Sequence, residues 1–246
     1  MISVYVLRTH FVNESVLELY EQLKFDFGKE SVFMILDTTH CQTPTNTDNV
    51  ISIDTEMAVA INPLHLQFKN HGLSFRTEAV ILRAYDEIRA KGLVFDYLWI
   101  IEYDIYCKEG FGNALALCDG IECDFLAKGG DDRVTIRTYN THPGWCWWNA
   151  LYGEISHMPL KQRQGCFFPL TRYSHRMIDV LRNNLGKSTG FCEVYLPCLC
   201  VANNLEYKAI PSEVFGQFQF RPNLQYKKLL ETAIPNKLYH PYKRDK

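Results

Sequence analysis

Along the first part of the chain the apolar positions switch between two periods. Residues 2–7 form a run of β-branched and other apolar side chains, residues 32–36 form a second, and residues 50–53 and 95–101 follow, each of strand length. Between them the spacing becomes helical. Val16, Leu17, Leu19, Tyr20 and Leu23 recur within residues 13–27, and Ile81, Tyr85 and Ile88, with Leu82 and Ala84 beside them, recur within residues 77–90, which Gly92 closes. Strands separated by helices predict a parallel sheet covered by helices. Ligands of such sheets bind beyond the carboxyl ends of the strands.

The pattern is more broken after residue 104. Residues 110–117 read as a short helix, 125–127 as a strand, 129–132 as a turn, 133–139 as a strand and 171–185 as a helix, while 194–201 fit either a strand or a helix. Residues 41–49, rich in Thr, Asn, Gln and Pro, read as a loop, and the tail after Arg221 is polar, basic and poorly periodic. No repeat or linker divides the chain, so its 246 residues are expected to form one α/β domain with a mostly parallel central sheet.

Composition narrows the function. With 47% hydrophobic and 22% charged residues the chain has globular proportions, and its net charge of −2 provides no basic field to hold nucleic acid. No apolar stretch approaches the ~20 residues of a transmembrane helix. Nine cysteines are an odd count, and no leader-like segment precedes the first strand, so a reduced, cytoplasmic setting is expected, with peripheral attachment to a membrane left open. The Cys198-x-Cys200 pair lacks the spacing of a redox or zinc motif and lies in an apolar run, which suits buried, inert thiols.

Three segments carry candidate chemistry. The most hydrophobic strand runs into Glu102-Tyr103-Asp104, and strand alternation puts the two acids on one face, where they supply half of a Mg²⁺ or Mn²⁺ site. The alternative is an ordinary polar strand end. Glu193 is a lone acid among apolar neighbours, which favours a general base through a raised proton affinity; a carboxylate serving a helix N-terminus is the structural alternative. Trp147, Trp148 and Asn149, in a cluster bordered by Pro143 and Gly144, offer rings to stack on sugars and an amide to bond hydroxyls, or else belong to the core.

The segment Phe95-Asp96-Tyr97-Leu98-Trp99-Ile100-Ile101-Glu102-Tyr103-Asp104 resembles the DxD segment of GT-A glycosyltransferases, in an ExD form. That resemblance implies a Rossmann-like GT-A domain in which residues 1–104 bind a nucleotide-sugar, of UDP or GDP type, and residues 105–246 bind a glycan acceptor. It implies metal held by Asp104, Glu102 and His240, Glu193 as the base of an inverting transfer, and Trp147, Trp148 and Asn149 at the acceptor. Arg8, Thr9, Asp37, Thr38, Arg76, Tyr103 and Lys243 would then line the donor, with Arg244 a weaker phosphate contact. A retaining transferase, a nucleotidyltransferase, an inactive sugar-binding domain and a Cys-His hydrolase are the competing functions.

Overall fold

A computed structural model describes residues 1–43, 47–68, 72, 75–129 and 136–243. Its centre is a seven-stranded sheet. In chain order the strands are β1 (Ser3–Thr9), β2 (Val32–Asp37), β3 (Val50–Ile53), β4 (Tyr97–Glu102), β5 (Phe125–Lys128), β6 (Phe167–Ser174) and β7 (Tyr207–Ala209). They lie side by side as β7-β5-β6-β4-β1-β2-β3. The run from β3 to β4 is parallel, β6 is antiparallel to both its neighbours, and β7 is parallel to β5. Strands from both halves of the chain therefore share one sheet.

The period of two explains how the sheet is covered. Val4, Val6, Phe33, Ile35, Leu98 and Ile100 face one side, where they meet helices α3 (Thr77–Ala90), α5 (His175–Asn183) and α6 (Cys192–Ala202). Leu7, Val32, Met34, Trp99 and Ile101 face the other, against α1 (Glu14–Phe27) and α4 (Phe111–Ala116). Two further helices, α2 (Thr55–Ile61) and α7 (Tyr226–Thr232), are short. Asn13 and Asp54 cap α1 and α2 by accepting from Val16 N–H and Met57 N–H.

Where the pattern was strong, the elements match it: β3 and α3 have the expected bounds, and residues 194–201 resolve as the helix α6. The helix expected over residues 171–185 is corrected. Thr171–Ser174 complete strand β6, and the helix begins at His175, with Ser174 Oγ accepting from Met177 N–H at 3.2 Å. Pro169 interrupts the strand signal, and the pairing of β6 with β5 shifts register between Phe167 and Thr171, the kind of irregularity that tolerates a proline. Among the described residues of the strand expected over residues 133–139, Arg137–Thr138 pairs with Gln164–Gly165. Residues 130–135, including Asp131, Asp132 and Arg133, lie outside the described residues, as does Arg244.

The tail is also corrected. Strand Leu238–His240 pairs with Phe215–Phe218 on one side and Tyr106–Cys107 on the other, and Tyr242–Lys243 pairs with Leu224–Gln225. Tyr242 N–H donates to Asp104 C=O at 2.8 Å. Residues 238–242 are thereby fastened beside the end of β4.

Candidate metal centre and adjoining cavity

The site grows from the register of β1 and β4. Arg8 lies directly beside Glu102 across the parallel ladder, and the side chains meet, Arg8 Nη1 to Glu102 Oε1, at 3.4 Å. Two residues further, past the strand end, Asp104 Oδ1 lies 3.2 Å from His240 Nε2. One ligand atom from each of Glu102, Asp104 and His240 falls within 4.8 Å of the others, and this is the one such group of three or more among the described residues.

His240 is fixed from behind. Its Nδ1 is 2.8 Å from the Gln219 carbonyl, which only accepts, so Nδ1 carries a proton and Nε2 faces Asp104. Phe167 and Phe218 pack edge-on and tilted against the imidazole, each with ring centroids 5.2 Å away. The ring is 5% exposed. Asp104 Oδ1 and Arg8 Nη1 are both buried, and neither makes a well-directed hydrogen bond.

Proton affinities reflect this crowding. Burial raises the Glu102 carboxyl above its ordinary value; Arg8 and His240 oppose the rise, Asp104 adds to it, and the net shift is upward. Burial acts to lower His240, but its bond to Asp104 and the charges of Asp104 and Glu102 outweigh burial and raise it.

Beside the triad is a cavity of about 260 Å³. Glu102, Tyr103, Asp104 and His240 form one wall; Phe167, Phe168 and Pro169 of β6 form another; Phe191, Cys192 and Glu193 at the start of α6 close the third; and Phe220, Arg221 and Asn223 stand at its edge with Pro241. Glu193 Oε1 accepts from Phe168 N–H at 3.2 Å. Glu193 thus occupies the first turn of α6 and lines the cavity. Sequence reasoning missed Phe168, Phe220, Arg221 and Asn223, which come from the strand and the tail whose signals were weak.

The remaining expected residues divide. Arg8 and Thr9 end β1, Asp37 ends β2 with Thr38 just beyond it, and Tyr103 packs against His10 and Phe11 at the same edge. Thr9 is turned inward, its hydroxyl donating to Phe11 C=O at 2.6 Å. Asp37 Oδ1 accepts from the Thr39 amide at 3.0 Å and its hydroxyl at 2.5 Å, and Thr38 N–H donates to Ile53 C=O. Arg76 is buried and donates to Thr55 Oγ1 at 2.6 Å; burial lowers its pKa, against the opposing charge of Asp37. Lys243 ends the last strand, and its side chain lies outside the described residues.

The tryptophan cluster is corrected in part. Trp148 is 2% exposed, its indole N–H donates to His142 C=O at 2.7 Å, and Trp145 packs edge-on against it, so Trp148 is a core residue with no face to offer a sugar. Trp147 is half-buried and stacks on the cavity residue Phe191 with centroids 4.2 Å apart. Asn149 is exposed. None of the three is among the residues lining the cavity.

No protein-family model matches the chain, and no curated protein matches it in sequence. Among solved structures the chain is similar to mouse xyloside xylosyltransferase 1, at 9% identity and a TM-score of 0.47 over 98% of each chain. It is similar to the galactosyltransferase LgtC at 8% identity and a TM-score of 0.40, over 97% of this chain and 87% of that one. It is also similar to a glycosyltransferase involved in glycosylating the major capsid of PBCV-1, at 10% identity and a TM-score of 0.35, over 74% of this chain and 64% of that one, less than two thirds of the latter's length.

Proposed function

We propose that this protein is a divalent-metal-dependent glycosyltransferase that moves a sugar from a nucleoside-diphosphate sugar to a hydroxyl of a glycan acceptor with inversion. The observation that carries the reading is the convergence on one cavity of Glu102, Asp104 and His240 with Glu193, from three separate stretches of chain. Two carboxylates and an outward-facing imidazole nitrogen are a donor set suited to Mn²⁺ or Mg²⁺, and the buried Asp104 Oδ1 that lacks a well-directed hydrogen bond fits a ligand atom. A divalent cation bound there supplies positive charge to the oxygens of the departing nucleoside diphosphate.

The chain's own residues account for the rest. Arg8 restrains Glu102, and the Gln219 carbonyl sets the tautomer and direction of His240. Glu193, oriented by Phe168 N–H, takes the proton of the acceptor hydroxyl. Phe167, Phe168 and Phe191 keep water from the reacting centre. Asp37 and Thr38 at the end of β2, Tyr103 just past β4 and Arg76 at the start of α3 line the donor's nucleoside and phosphates, with Arg8, Thr9 and Lys243 bordering them. Trp147, through its stack on Phe191, and Asn149 border the acceptor. The test is a transfer and donor-hydrolysis assay over UDP- and GDP-sugars with and without Mn²⁺; turnover that ignores metal would overturn the reading.

A further inference from the structure

Charge is divided unevenly along this chain. Residues 216–246 contain seven of its 26 Lys and Arg but two of its 28 Asp and Glu, a local net charge of +5 in a protein whose total is −2. The same segment exposes large apolar side chains. Phe220 is 61% exposed, Leu230 44% and Ile234 54%. Helix α7 is built asymmetrically: Leu229 and, just beyond the helix, Ala233 are buried, while Lys227, Lys228 and Leu230 are exposed, with Glu231 the one acid exposed beside them. Arg221, beside Phe220, is exposed as well. Lys237 is excluded from this face, since its ammonium donates to the carbonyls of Glu213 and Phe215.

We propose that the face formed by Phe220, Arg221, Lys227, Lys228, Leu230 and Ile234 docks on a bilayer surface that presents anionic lipid headgroups. Apolar side chains standing among cations on one short stretch suit the boundary between headgroups and acyl chains, where each kind of side chain meets its own environment. A polar protein partner would leave the three apolar groups unsatisfied. The remainder of the chain carries a net charge of −7 and is disfavoured at the same membrane, so the charge division also orients the molecule, with the edge of the cavity at Phe220 and Arg221 turned toward the lipid. This binding is independent of the reaction assigned to the site.

The experiment is co-sedimentation of the full chain with phosphatidylcholine vesicles, with and without phosphatidylglycerol. Binding is expected to the anionic vesicles and not to the neutral ones, and to weaken steeply with salt as the Debye length contracts. Lys227→Gln with Lys228→Gln should reduce partitioning by about thirtyfold, from the contribution of each basic residue near an anionic surface. Leu230→Ser with Ile234→Ser should also weaken it, with the melting temperature of both variants unchanged. Failure to bind anionic vesicles, equal binding to neutral ones, indifference to both pairs of substitutions, or self-association of the chain that those substitutions abolish would each overturn the proposal.

Discussion

His240 Nε2 lies 3.2 Å from Asp104 Oδ1, although one residue ends the strand Leu238–His240 and the other lies two residues beyond β4 of the central sheet. The contact is set by backbone, since Tyr242 N–H bonds the Asp104 carbonyl and Leu238–His240 pairs with Tyr106–Cys107. The tail is therefore part of the fold, and through His240 it also contributes to the candidate metal centre.

Deleting residues 237–246 should then destabilise the protein even without ligand. Leu238, Tyr239 and His240 are buried, and returning the first two to water costs about 3–6 kcal/mol from their apolar surface alone. Urea denaturation should show that loss; a midpoint unchanged by the deletion would mean that the tail packs on the body without supporting it.

His240→Asn separates the two roles. It removes the imidazole from the triad while leaving the strand pairing of residues 238–240 in place. Weakened Mn²⁺ binding, read by calorimetry, with a small change in the unfolding midpoint is the expected pair of results. A large stability loss with metal affinity intact would assign His240 to packing.

Glu193→Gln retains an oxygen to accept from Phe168 N–H and loses the basicity. Turnover should fall by roughly 10²- to 10⁴-fold with donor binding little altered. Survival of kcat within a few-fold, or a product that keeps the donor's anomeric configuration, would leave Glu193 as a helix-terminus carboxylate only.

How much of this was legible in the sequence follows from where each signal resides. Helix α3 and strand β3 have the bounds that their own periodicity dictates, and Glu102 and Asp104 were found because a strongly hydrophobic strand ends in an acidic pair. Strand β6 was missed because Pro169 and a register shift break its pattern, although it lies in the middle of the sheet. The burial of His240 was illegible for a different reason: three residues carry no periodicity, and their strand exists only through pairing with segments distant in the chain. Trp148 resembled a sugar platform, yet the carbonyl that consumes its N–H, from His142, is fixed by the fold of the loop.

Trp148→Ala should cost about 3–5 kcal/mol of stability, the usual penalty for emptying a large aromatic site. Denaturant melts check it. A near-neutral result would return Trp148 to the list of ligand contacts.

Thiol labelling offers an independent view of the interior. Cys146 is exposed and Cys41 half-buried, while the other seven cysteines are buried. Burial pushes the thiols of Cys118 and Cys198 up to about 12, that of Cys107 up to about 11, and those of Cys166 and Cys192 well above the ordinary range. Because the thiolate is the reactive form, raising the pH to about 9 should not recruit these buried groups to labelling, and the exposed Cys146 should be the first thiol modified. Mass spectrometry showing rapid modification of Cys192 in the native protein would mean that the cavity wall opens.

The most direct measurement is calorimetric titration of UDP and GDP into the protein with and without Mn²⁺, repeated on Asp104→Asn. At least one nucleoside diphosphate should bind the native protein only when Mn²⁺ is present, and ligand at a hundredfold over its Kd should add about 2.7 kcal/mol to the stability. Asp104→Asn should fold normally and lose that metal-dependent binding. Metal-independent binding, or an Asp104→Asn variant that binds nucleotide and Mn²⁺ as the native protein does, would contradict the assignment of Glu102, Asp104 and His240 as a metal centre.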